Sequence, residues 1–139
     1  LQENIAEAKG IKIYNHIDRP FTGYADVNMM KTVLGNLLSN AIKFSYTGGR
    51  IDVDCREENG SLTVIVKDRG QGIGEEHQQG VLDDGLHFIS YGTQKEKGSG
   101  LGLQLCKDFV KMNHGKLWFE SKEGKGTTFY FTVPVEESL

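Results

Sequence analysis

At 139 residues, 37% hydrophobic and 25% charged, the chain has the size and make-up of one globular domain and not of a disordered segment. Sixteen Lys and Arg against nineteen Asp and Glu give a net charge of −3, which argues against a nucleic-acid binder. No apolar run approaches the ~18 residues of a membrane helix, and two cysteines, Cys55 and Cys106, make neither a disulfide framework nor a zinc motif.

The opening Leu1-Gln2-Glu3-Asn4 has neither a signal-peptide pattern nor an initiator Met, so a piece of a longer protein is expected. Residues 1–10 read as the end of a helix or a linker, closing at Gly10, and residues 11–135 as one domain, with 136–139 a tail. Ile11, Ile13 and Ile17 predict a strand. Asp26 is placed to N-cap a helix reaching about Phe44, along which Met30, Val33, Leu37, Leu38 and Ala41 recur at helical spacing. Ile51, Val53 and Cys55 alternate in a predicted strand over 50–56, Asn59-Gly60 signals a hairpin, and Leu62 to Lys67 returns to end on Asp68. Residues 69–100 are glycine-rich with little periodicity, apart from a short helix predicted near Glu75–Gln79. A second helix is expected from Leu101 to about Asn113, stopped by Gly115. Two strands follow, Lys116–Ser121 and Thr127–Val133, with Trp118 and Phe119 assigned to the core.

Four stretches carry candidate chemistry. On the first helix Asn36, Asn40 and Lys43 fall within about 60° at ~100° per residue, which gives either a solvated face or two amides and an ammonium facing a metal-bound polyphosphate. Asp68-Arg69-Gly70-Gln71-Gly72-Ile73-Gly74 is either a plain turn or a carboxylate fixed at a strand end, where glycines admit a ligand. A carboxylate only accepts hydrogen bonds, so its natural partner is a donor such as the exocyclic amine of adenine; guanine presents a carbonyl there. Gly98-Ser99-Gly100-Leu101-Gly102-Leu103 opens a helix with exposed backbone N–H groups, an anion site in outline but neither a Rossmann nor a Walker pattern. Gly124-Lys125-Gly126-Thr127 reads as a hairpin turn, from which Thr127 reaches a base if its strand lies beside Asp68.

In this order the four stretches resemble the catalytic ATP-binding domain of sensor histidine kinases. That domain belongs to the superfamily of type II topoisomerases, heat-shock chaperone ATPases and mismatch-repair ATPases (the Bergerat fold). Asn36-Leu37-Leu38-Ser39-Asn40-Ala41-Ile42-Lys43-Phe44 is similar to the N box, and the Asp68, Gly98 and Gly124 stretches to the three glycine boxes. The resemblance implies an α+β fold, a two-layer sandwich whose mixed, mostly antiparallel sheet is covered on one face by about three helices. It implies ATP and Mg²⁺ as cofactors. Asn40 would ligate the Mg²⁺, Asn36 would support the metal end, and Lys43 would touch phosphate oxygens. Asp68 would accept from the adenine amine within a base site formed by Gly70, Gly72, Ile73 and Thr127. The amides of Gly98, Gly100, Leu101, Gly102 and Leu103 would cradle phosphates. Residues 75–97 would form a lid, in which Phe88 is the one clear match to a phenylalanine box and Lys95 and Lys97 are either phosphate contacts or a solvated pair.

The resemblance also implies an activity and partners. The γ-phosphate would pass to a histidine on a separate dimerisation and phosphoacceptor domain of the parent protein, and then to a response-regulator receiver domain. The isolated domain would be a cytoplasmic monomer with no membrane contact of its own. His16, His77, His87 and His114 sit in the wrong context to be that acceptor. Hydrolysing branches of the superfamily carry a Glu four residues before the metal Asn; here Asn36 stands there and cannot take a proton, which favours transfer over hydrolysis. An anti-sigma-type serine kinase and a degenerate, non-catalytic ATP- or protein-binding module are the alternatives.

Overall fold

Alternation of apolar and polar residues builds the sheet. The computed structural model describes residues 6–81 and 101–137. Its strands are β1 (Lys12–Asn15), β2 (Arg50–Glu58), β3 (Ser61–Asp68), β4 (Leu117–Lys122) and β5 (Gly126–Pro134). They form a five-stranded sheet in the order β1-β2-β3-β5-β4, with β1 parallel to β2 and the other pairs antiparallel. Register sets Val53 opposite Val66, Val66 opposite Phe129 and Phe119 opposite Phe129, so one inner face runs across four strands. The β2–β3 hairpin turns at Asn59 and Gly60, both at positive φ (53° and 79°), as an Asn-Gly two-residue turn requires.

The inner face is covered by α1 (Val27–Phe44) and α3 (Leu101–Met112), while α2 (Glu75–Val81) packs at one end. Asp26 caps α1, its carboxylate accepting from the Met29 N–H at 2.9 Å. Val33, Leu37, Ala41 and Ile42 bury the helix face against Ile51, Val66 and Phe129 in one continuous core. Among the described residues no helix is long and apolar enough to cross a membrane.

Two details differ from the sequence expectations. The α3 C-terminus is closed by His114, at φ 63°, and not by a left-handed Gly115. The His114 N–H donates to Lys111 and the Gly115 N–H to Val110, a Schellman pair. Gly115 is needed for space instead: a Cβ there would lie 2.0 Å from the Thr132 carbonyl oxygen. Second, Phe119 joins the core but Trp118 faces outward, stacked on Tyr130 at 5.1 Å, because alternation puts the two on opposite faces. Residues 6–8 are helical and Gly10 follows at φ 73°, as expected of a helix end closing at Gly10, and this segment also packs: Ala6 and Lys9 are buried.

Lys9 does more than fill space. Its ammonium donates to the carbonyls of Ile42 and Lys43, each at 3.0 Å, and so closes the negative end of α1. Lys9→Met keeps the stem and removes the donors, and is expected to lower unfolding stability by about 1–3 kcal/mol in a urea titration. An unchanged midpoint would show that the cap is dispensable.

Candidate functional site

Asp68 is the last residue of β3 and points to the inner face, 4% exposed. Its Oδ1 accepts the Gly70 N–H at 2.9 Å and the Thr127 N–H at 3.2 Å. Burial pushes the carboxyl up to about 6, against the pull of those two hydrogen bonds. Oδ2 has no hydrogen-bond partner among the described residues, while no described buried side-chain polar atom is left unpaired. Oδ2 is therefore the open edge of the group: one oxygen anchors the carboxylate and the other is available to a ligand donor.

The turn after Asp68 is held by backbone-to-backbone contact. A Cβ on Gly70 would lie 1.9 Å from the Phe44 carbonyl oxygen, and one on Gly72 (φ 69°) would lie 2.1 Å from that of Lys122. The Gln71 N–H donates to Phe44 and its carbonyl accepts from the Gly124 N–H at 2.8 Å. These glycines thus weld the end of α1 to β3 and to the β4–β5 turn, so here they serve the approach of protein to protein. Ile73 is buried, its N–H donates to Ser121 Oγ at 2.8 Å, and its carbonyl accepts from Gln78 Nε2 at 2.8 Å. Both backbone groups of Ile73 are thereby committed within the protein.

Thr127 lies on the rung beside Asp68, buried, with Oγ1 at 2.7 Å from Ser121 Oγ. Ser121 and Gln78 are site residues that motif reasoning misses. The signal for Ser121 was in the alternation of β4, where Leu117 and Phe119 face in and Ser121 is the next inward position. Gln78 carries no sequence signal; it reaches the site only because α2 docks there.

Along α1, Asn36, Asn40 and Lys43 are all half-buried. The helix runs antiparallel to α3, with Met29 near Asn113, Val33 near Cys106 and Asn36 near Gly102. The Cys106 thiol donates to the Val33 carbonyl at 3.7 Å, and burial pushes it up to about 11 against a smaller pull from Asn36. The first turn of α3 therefore comes up beside Asn36, and Asn40 lies one turn further along α1. Leu103 buries its side chain in the core, so it offers a ligand only its backbone. The Lys43 ammonium sits 4.6 Å above the Phe44 ring, next to the Phe44–Gly70 weld. Two clusters thus emerge, Asp68 with Thr127 and the glycine turn, and Asn36 with Asn40 and the start of α3, joined through the last residue of α1.

Gly98, Gly100, His87, Phe88, Lys95 and Lys97 lie outside the described residues. Of the expected lid, residues 75–81 form α2, tied by Gln78 to the carbonyls of Ile73 and Ser121. The described histidines have ordinary settings. His16 lies 2.7 Å from Asp52, a carboxyl that burial raises but that Arg50, His16 and Arg69 together hold well below the usual range. His77 is exposed beside Glu76, and His114 caps α3. Among the described residues no group of three or more His, Cys, Asp and Glu could hold a metal ion.

The family model described as histidine kinase-, DNA gyrase B- and HSP90-like ATPase matches residues 25–137. The chain belongs to that family. Among relatives, it is 35% identical over 129 residues to the adaptive-response sensory kinase SasA of Crocosphaera subtropica, an overlap covering 91% of this chain and 33% of that protein. It is 39% identical over 127 residues to the sensor histidine kinase WalK of Bacillus subtilis, covering 90% of this chain and 21% of that one. The chain thus spans a third or less of these curated relatives. Among solved structures, the nucleotide-free catalytic domain of histidine kinase ThkA superposes with a TM-score of 0.77 at 29% identity, covering 95% of this chain and 84% of that one. ThkA in complex with the response regulator protein TrrA gives a TM-score of 0.75 at 25% identity, covering 96% and 37%. The α+β sandwich, the ATP-binding catalytic role and the sensor-kinase kinship expected from the motifs are those of the family.

Proposed function

We propose that this domain binds Mg²⁺-ATP and passes the γ-phosphoryl group to a histidine on a separate dimerisation and phosphoacceptor domain of its parent, for onward transfer to a response-regulator receiver domain in the cytoplasm. The observation that carries the nucleotide reading is Asp68, a buried carboxylate with one oxygen tied to two backbone N–H groups and the other open. In this reading Oδ2 accepts from the adenine amine, and Gly72 and Thr127 complete the base site through water. Asn40 holds the cation, Asn36 supports that end, and Lys43 and the amides from Gly98 through Gly100 to Leu103 take the phosphates. A bound Mg²⁺ would supply neutralisation of phosphate charge. The chain's own part is positioning and electrostatics, with the acceptor imidazole as nucleophile. Asn36 supports transfer over hydrolysis: an amide, here beside Gly102, cannot deprotonate water.

Calorimetric titration with ATP, with and without Mg²⁺, tests this reading. Native protein should bind ATP more tightly with Mg²⁺, and Asn40→Ala should lose that enhancement while keeping metal-free affinity within about threefold. Phosphotransfer to an added acceptor domain carrying the histidine is the second arm. Absence of ATP binding by the native chain would overturn the proposal.

A further inference from the structure

Ser121 is absent from the four motifs, yet its hydroxyl meets Ile73, Gly126 and Thr127 at the base end of the site. We infer that Ser121 is a positioning residue that fixes Thr127 as a hydrogen-bond acceptor and so selects a base bearing an exocyclic amine over one bearing a carbonyl. The inference rests on the ATP reading above and deepens it.

A serine hydroxyl has one proton to donate and two lone pairs to accept with. Ser121 Oγ has three neighbours: the Ile73 N–H at 2.8 Å, the Gly126 carbonyl at 3.1 Å and Thr127 Oγ1 at 2.7 Å. The Ile73 N–H can only donate, which uses one lone pair. The Gly126 carbonyl can only accept, so that bond requires the Ser121 proton. The remaining lone pair then faces Thr127, whose hydroxyl must donate. This is the single arrangement that makes all three bonds. It leaves Thr127 Oγ1 with lone pairs and no proton for anything else.

Ser121 cannot drift out of this arrangement easily. Its carbonyl accepts from Gln78 Nε2 at 3.1 Å, and its backbone pairs with Thr127 across β4 and β5. Thr127 in turn donates its N–H to Asp68 Oδ1. The base end of the site therefore presents two acceptors side by side, the open Oδ2 of Asp68 and Oγ1 of Thr127. Two acceptors suit an amine with two protons, directly or through a water that donates to them. A carbonyl at the same place meets no side-chain donor from Asp68, Thr127 or Ser121. Without the Ser121 hydroxyl, the Thr127 proton loses its acceptor and is free to turn toward the ligand.

The test compares the affinities of ATP and inosine triphosphate, which carries a carbonyl in place of the adenine amine, by calorimetry on the native chain and on Ser121→Ala. Native protein should prefer ATP, and Ser121→Ala should narrow that preference by about tenfold, the worth of one hydrogen bond. Ser121→Thr, which keeps the hydroxyl, should restore it. In a Thr127→Val background Ser121→Ala should leave the ratio unchanged. Should Ser121→Ala fail to fold, Ser121→Cys, a weak acceptor, carries the same comparison. A common loss of affinity for both nucleotides at constant ratio would make Ser121 a structural residue only and overturn the inference while leaving ATP binding intact. Failure of the native chain to bind ATP would overturn both.

Discussion

Asp68→Asn is expected to reduce ATP affinity by at least about 100-fold while leaving the fold in place. The reason lies in the division of labour between the two carboxylate oxygens. Oδ1 must accept from the Gly70 and Thr127 N–H groups, and an amide can place its oxygen there. The amide nitrogen then occupies the position of Oδ2 and points two protons at the base amine, donor against donor. A hydrogen bond to a charged group contributes about 1.5–3 kcal/mol, and each ~1.4 kcal/mol is tenfold, so loss of the bond with repulsion added reaches two orders of magnitude. Asp68→Ala is a poorer experiment, because it leaves two buried N–H groups unpaired and confounds binding with stability. The same substitution carries a pH signature. Burial raises the folded-state value of Asp68 to about 6, above an ordinary aspartate. The folded chain therefore binds a proton more tightly than the unfolded one. The stability this contributes is fully present below about pH 4 and is lost as pH rises through about 6, a change of roughly 2–3 kcal/mol. Urea titrations at several pH values should show that slope in native protein and its absence in Asp68→Asn. Equal slopes in the two proteins would mean that Asp68 is not the group responsible.

What could be foreseen in the residues was mostly local. The α1 boundaries follow from Asp26 and the 3.6-residue period, β5 from the alternation of Thr127, Phe129, Phe131 and Val133, and the hairpin from Asn59-Gly60. The Asp68 turn was visible because strand, carboxylate and glycines are contiguous. Relations between distant segments were not. Nothing near Lys9 in the chain announces that its ammonium closes a helix ending more than thirty residues later, at Ile42 and Lys43. Asn36 reads equally well as a solvated residue until the start of α3 at Gly102 is brought beside it. The pairing of Ser121 with Thr127 needs the β4–β5 register, which alternation alone leaves free to slip. The glycines were legible as places of close approach, but that the Phe44 and Lys122 backbone is what comes up against Gly70 and Gly72 needed the fold.

That last distinction makes Gly70→Ala one of the most damaging small substitutions expected among the described residues. The new methyl would sit 1.9 Å from the Phe44 carbonyl oxygen and 2.6 Å from its carbon. Both are backbone atoms at the end of an 18-residue helix, so no side chain can swing aside to relieve the overlap. Either the last turn of α1 moves, which strains the Lys9 cap, or the glycine turn lifts away, which breaks the Gln71–Phe44 bond and lets go of Asp68 Oδ1. Overpacking in a tight core costs about 1–3 kcal/mol when side chains can adjust; with only backbone to move, about 3 kcal/mol or more is expected. Gly72→Ala should be comparable, since it combines a 2.1 Å approach to the Lys122 carbonyl oxygen with a φ of 69°. Gly124 separates the two causes. Its φ is 81° but nothing lies within 4 Å of a Cβ there, so Gly124→Ala should cost only the left-handed backbone penalty of about 1–2 kcal/mol. Urea midpoints for the three variants read the difference directly. If Gly70→Ala proves no worse than Gly124→Ala, the weld between α1 and the Asp68 turn is not what holds the site, and Asp68 must be positioned by the sheet alone.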